Sequence, residues 1–209
     1  MAHRYQGFWA NSLRQNWPAY FIVLIIFALG FTAGILGVQK LQVNEAQELS
    51  LYLDRFMEQA ALIDTDPVGS FGSVLYNDLI VIAAVYLLGL TIIGIPIILG
   101  LIFTRGFVLG FSIFFLGWEK NIQGIILSCA AILPQNIIFI PALLLGGIAS
   151  LSFALLLGRR FLNSKVLIWP SFIVYSILMF LLAVLAFVAG LVEVHLTPFL
   201  VKLAANFLF

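Results

Sequence analysis

The stretch Trp17–Val38, WPAYFIVLIIFALGFTAGILGV, decides what kind of protein this is. It holds no charge across 22 positions, and a helix needs about 20 apolar residues to cross a bilayer. Arg4 and Arg14 precede it, as basic residues precede a secretory signal. The run outlasts the roughly 7–15 apolar residues of a signal peptide, so it reads as an uncleaved anchor.

The rest of the chain agrees. Apolar residues make up 63% of the 209 and charged residues 9%, against roughly 45–50% and about 25% in soluble domains. A soluble surface could not be built from so little charge, and disorder needs the opposite composition. The net charge of +1 gives no pull toward nucleic acid. Cys129 is the lone cysteine, which excludes a disulfide framework and a Cys-rich metal site. Inside its apolar run it reads as a buried structural thiol.

Outward from the first span, 1–16 forms a basic amino terminus and 39–78 a polar loop. Spans follow at 79–103, 101–118 and 122–157, the last broken at Pro134 and Pro141. A loop at 158–167, a span at 168–192 and a tail at 193–209 complete the chain. The pieces Gly106–Gly117 and Ile122–Leu133 are each too short to cross alone, so Trp118–Asn121 is read as a turn. A continuous helix there would bury Glu119 and Lys120 at about 2.5–3.5 kcal/mol each. The expectation is an all-α, polytopic bundle of about five transmembrane helices in one membrane domain. By the positive-inside rule, Arg4, Arg14, Arg105, Arg159, Arg160 and Lys165 face the cytoplasm. All nine Asp and Glu lie outside, with the amino terminus in and the carboxyl terminus out of a cell membrane.

Small residues four apart let membrane helices approach closely. Gly30 with Gly34, Gly106 with Gly110, and Ala186 with Gly190 have that spacing, which also admits a homo-oligomer. Gln135 and Asn136 follow Pro134 at membrane depth and need partners there. They serve either a structural kink or a transport site on a broken helix. Arg105 reads as a snorkelling anchor at the inner face, with an intramembrane functional charge as the other reading.

In the outer loop, Leu49, Leu53, Phe56, Ala60 and Ile63 recur at helical spacing. Residues 41–63 therefore read as an amphipathic helix, ended by Pro67. Its polar face is acidic, whereas lipid-surface helices are usually basic. Packing on its own bundle or on a partner protein fits better. The two histidines, His3 and His195, stand at opposite ends, and no spacing suggests a metal site or phosphate loop. Neither an enzyme nor a cofactor is expected.

Several blocks together resemble the stage II sporulation protein M family over nearly the whole chain. They are Leu51-Tyr52-Leu53-Asp54-Arg55-Phe56, Ile93-Gly94-Ile95-Pro96, and Arg105-Gly106-Phe107-Val108-Leu109-Gly110-Phe111. The most specific is Leu133-Pro134-Gln135-Asn136, leading to Ile140-Pro141-Ala142. The resemblance implies a multi-pass membrane protein of endospore formers. It implies a non-enzymatic scaffold for engulfment, holding the peptidoglycan-degrading stage II sporulation proteins D and P. No catalytic residue carries over.

Overall fold

A computed structural model describes residues 17–42, 44–52, 67–162 and 168–208. Its long helices are α1 (Trp17–Gln39), α2 (Pro67–Gly89), α3 (Gly94–Ala131), α4 (Leu133–Leu162) and α5 (Trp169–Leu208). Residues 44–52 add a short helix between α1 and α2, and no strand occurs among the described residues. The fold is the expected all-helical membrane bundle.

Proline marks where these helices start. Pro18, Pro67, Pro96, Pro134 and Pro170 each lie within the first three residues of a helix. The first four N–H groups of a helix have no partner inside it, so a residue lacking that donor costs little there. Its fixed φ also suits the first turn. Pro134 thus opens α4 where a break within one long helix was expected, and Ile132 alone separates α3 from α4. Pro141 does lie inside α4.

Two boundaries differ from the sequence reading. The expected span 79–103 is a hairpin, with α2 ending at Gly89 and α3 starting at Gly94. Its turn closes on itself: the Leu90 and Thr91 N–H groups donate to the Leu87 and Leu88 carbonyls. The Thr91 hydroxyl donates to Leu88 O and accepts from the Gly94 N–H. With its groups bonded locally, the turn fits in an apolar run that carries no polar signal for it. In addition, α2 begins at Pro67 and α5 continues to Leu208, so part of the expected outer loop and most of the expected tail are helix.

The chain reverses at the expected turn, Trp118–Asn121, but its backbone there is helical. A Cβ on Gly117 would lie 3.3 Å from the Ile125 side chain. On a straight helix residues eight apart are about 12 Å apart along the axis, so the axis bends sharply between them. Beyond the bend, Gly147 rests on Ile98 and Ile102, and Phe139 lies beside Arg105. Hence α4 runs antiparallel to the first part of α3. It is also antiparallel to α5, since Phe153 meets Phe172 and Gly146 meets Met179.

The contact of α1 with α3 is parallel and glycine-lined. Gly30 and Gly34 abut the backbone carbonyls of Phe103 and Phe107, while Gly106 and Gly110 abut those of Phe27 and Phe31. No side chain fits at these four positions without moving backbone. Ala186 and Gly190 are buried on α5.

Among the described residues, four helical stretches are long and apolar enough to span a membrane: Trp17–Gln39, Gly94–Glu119, Leu133–Arg160 and Trp169–Thr197. A shorter apolar stretch, Asn77–Gly89, belongs to α2. The count is therefore four full spans and a short fifth. In the middle lies α4, with 56% of its apolar window buried against 22–28% for the other three. Phe139, Leu143, Leu182, Val85, Ile98 and Ile102 form the core around it. Phe21, Leu24, Leu29, Phe180 and Leu181 are exposed outside, an apolar surface suited to lipid tails. Cys129 belongs to this outer surface; the expectation that it is buried does not hold, because the neighbouring Ser128 takes the buried face of this turn.

Candidate functional site

Few ionisable side chains lie within the apolar helices. From Trp17 to Gln39 and from Leu133 to Gly158 there is no Asp, Glu, Lys, Arg or His. The α2 helix contributes Asp78, α3 up to Trp118 contributes Arg105, and α5 up to Val194 contributes Glu193. The fold gathers all three.

Asp78 is 2% exposed. One carboxylate oxygen, Oδ1, lies 3.8 Å from Arg105 Nη2. The other, Oδ2, accepts from Gln135 Nε2 at 2.6 Å. Glu193 stands within electrostatic reach of Asp78 and Arg105 and within hydrogen-bonding reach of the Gln135 amide. The Arg105 guanidinium lies over the Phe139 ring, 5.2 Å from its centroid, where the ring quadrupole attracts a cation. Four helices thus meet at one polar point. Each of these charges alone would cost about 2.5–3.5 kcal/mol at the centre of a membrane, which explains why the ion pair, amide and ring converge.

Arg105 sits near the middle of the span Gly94–Glu119. Its neighbour Gly106 packs on Phe27 and Phe31, midway along α1. The expected role as an inner-face anchor does not hold. The reason is the Gly94 start of α3, which carries Arg105 eleven residues, about 16 Å, into the helix.

Gln135 and Asn136 divide their tasks. Gln135 reaches across to α2, and Asn136 Nδ2 donates to Ile132 O at 2.7 Å, at the junction of α3 and α4. A cavity of about 120 Å³ adjoins the cluster, with Arg105, Ser112, Gln135 and Asn136 on its polar side and Val108 and Phe139 on its apolar side. On α5, Glu193 Oε2 and Thr197 Oγ1, one turn apart, are buried without a hydrogen-bond partner among the described residues.

A second polar knot ties the opposite end of α2. Ser150 Oγ donates to Val85 O at 3.0 Å, Tyr175 Oη donates to Tyr86 O at 2.9 Å, and the two hydroxyls are 2.8 Å apart. The Tyr175 ring stacks on Tyr86 and Phe153. These side chains hold carbonyls near the end of α2, where intrahelical donors run out.

Of the loop stripe, Leu49 is half-buried, and Leu53, Phe56, Ala60 and Ile63 lie outside the described residues. The described part is helical and tethered: Ser50 Oγ donates to Glu119 Oε1 at 2.8 Å, and the Gln42 N–H donates to Glu45 Oε2 at 3.1 Å. Leu51 and Tyr52 are 58% and 71% exposed.

A family model described as stage II sporulation protein M matches residues 23–198. The chain belongs to that family. The match runs from α1 well into α5 and includes the glycine-lined contact and all three intramembrane charges. The family makes this a sporulation-related membrane protein with several apolar helices. No curated protein and no solved structure matches the chain.

Sequence reasoning does not find Asp78 or Glu193 as site residues. It places one at the end of the outer loop and the other at the start of the tail. A signal is present, since each is a single acid bordered by apolar helix on one side at least. The Tyr86, Ser150 and Tyr175 knot gives no such signal, because hydroxyls in apolar helices are common and Ser150 is one among several serines.

Proposed function

We propose that this protein is a non-enzymatic membrane scaffold of the endospore engulfment complex. It anchors and organises the peptidoglycan-degrading stage II sporulation proteins D and P. The observation that carries the reading is the family match across the bundle, and the tethered loop helix supports it. A scaffold must present a fixed surface outside the hydrocarbon layer. The Ser50–Glu119 bond holds a helix with exposed Leu51 and Tyr52 against the bent end of α3. Large apolar side chains left exposed on a polar segment mark a contact surface. In this reading the polar cluster and glycine contact keep the platform rigid.

A second reading, a small transporter or permease subunit, is favoured by one observation. The three intramembrane charges converge beside a cavity lined by Arg105, Ser112, Gln135 and Asn136. Intramembrane ionisable groups commonly mark ion or proton pathways.

Capture of the tagged, detergent-solubilised protein from sporulating cells, with its companions identified, tests the first reading. Co-purification of proteins D and P is expected. Their absence, together with a selective solute flux in proteoliposomes that Gln135→Ala removes, would replace it with the second.

A further inference from the structure

Charge within the helices does not balance. Asp78 and Glu193 bring two carboxyl groups and Arg105 one guanidinium; apart from Glu119, Arg159, Arg160 and His195 near the span ends, the apolar spans hold no other Asp, Glu, Lys, Arg or His. The titratable groups can be named helix by helix. Asp78 is on α2, Arg105 on α3 and Glu193 on α5, while α4 brings the uncharged Gln135 and Asn136 and α1 no charge. His195, two residues after Glu193, is exposed and bonds the Leu191 carbonyl of its own helix. Glu119 lies at the far end of the span, bonded to Ser50.

With both carboxyls ionised the cluster would hold one surplus buried negative charge. An uncompensated buried charge costs several kcal/mol even after relaxation. Hydrogen bonds do not remove the surplus. The Gln135 amide serves Asp78, and the Asp78–Arg105 contact is a long 3.8 Å. Geometry marks where compensation is missing, at the buried and unpartnered Glu193 Oε2 with Thr197 Oγ1 one turn on. Among the described residues no group of three His, Cys, Asp or Glu could hold a metal ion. A single monovalent positive charge is what the cluster needs.

We propose that the Asp78–Arg105–Gln135–Glu193 cluster is a proton-binding site, with one proton held between the two carboxyl groups. The proton comes from water and adds to a carboxylate oxygen of Glu193 or Asp78; no other bond forms or breaks. Arg105 and Gln135 border both Asp78 and the 120 Å³ cavity. The inference is separate from the scaffold reading, because a protein that holds D and P has the same imbalance to settle.

Infrared difference spectroscopy of the full chain in lipid nanodiscs at neutral pH tests it, with isotope-labelled Asp and Glu. The readout is the C=O stretch that only a protonated carboxyl shows. Neutrality sets the number of protonated intramembrane carboxyls at carboxyls minus guanidinium. The wild type is expected to show one, and the near-isosteric Glu193→Gln none. Arg105→Gln is expected to show two. If Arg105→Gln does not fold, the comparison of wild type with Glu193→Gln still decides. A wild-type spectrum without the band overturns the proposal, as does a band unchanged by Glu193→Gln. Stabilisation by sodium at fixed pH, with both carboxyls ionised, also overturns it and makes the ligand an alkali cation.

Discussion

Gln135 Nε2 donates to Asp78 Oδ2 at 2.6 Å across 57 positions of sequence, tying the start of α4 to α2 beside the only arginine of the α3 span. Hydrogen bonds to charged groups contribute about 1.5–3 kcal/mol, whereas interhelical bonds in membranes average about 0.6 kcal/mol. The two neighbouring carboxamides should therefore differ. Gln135→Ala is expected to cost about 1–3 kcal/mol and Asn136→Ala, which loses a bond at the α3–α4 junction, well under 1 kcal/mol. Thermal unfolding in detergent measures both.

The parallel contact of α1 with α3 predicts a pattern among glycines. A methyl on Gly34 would meet the Phe107 carbonyl and one on Gly110 the Phe31 carbonyl. Overpacking of this kind costs about 1–3 kcal/mol, so Gly34→Ala and Gly110→Ala should lower thermal stability. Gly100, on the same α3, has open space where a methyl would sit, with nothing within 4 Å. Gly100→Ala should therefore stabilise by about 0.5–1 kcal/mol through helix preference alone. Equal effects at Gly34 and Gly100 would contradict the packing.

Much of this architecture is legible in the sequence because hydrocarbon imposes one strong demand, that every crossing backbone group bond within its own helix. Trp17–Val38 announces α1 by length, and the spacing of Gly30 with Gly34 and of Gly106 with Gly110 announces the close contact. The hairpin at Leu90–Ile93 is hidden, because its turn satisfies its own carbonyls and leaves no polar trace. Pro96 is the available marker, just inside the start of α3. Asp78 and Glu193 are hidden by a rule that normally serves well, that acids lie outside the membrane. It fails here because Arg105, carried to mid-depth by that unseen hairpin, supplies their partner.

Tyr175→Phe keeps the rings stacked on Tyr86 and Phe153 but removes the donor to Tyr86 O. A loss of about 1 kcal/mol is expected. Ser150→Ala frees the Val85 carbonyl in the same knot and should cost a similar amount. The double variant should fall short of the sum, since the hydroxyls share one network. Unfolding in detergent of all three variants gives the comparison.

The helices alternate in direction, which fits an amino terminus in the cytoplasm and a carboxyl terminus outside. In a Cys129→Ser background, Asp66→Cys and Asn206→Cys should react with an impermeant thiol reagent added to intact cells. Asn163→Cys should not, since Arg159, Arg160 and Lys165 mark the inner side. Labelling of Asn163→Cys from outside would reverse the orientation.

The scaffold role is tested most directly by binding of purified stage II sporulation proteins D and P to the full chain in nanodiscs. The account predicts binding by the wild type and by Glu58→Lys within about threefold. Phe56→Asp and Tyr52→Asp, correctly inserted, should each weaken it at least tenfold, about 1.4 kcal/mol. A wild-type chain that binds neither protein, or a Phe56→Asp, Tyr52→Asp double variant that binds both at full strength, would contradict it.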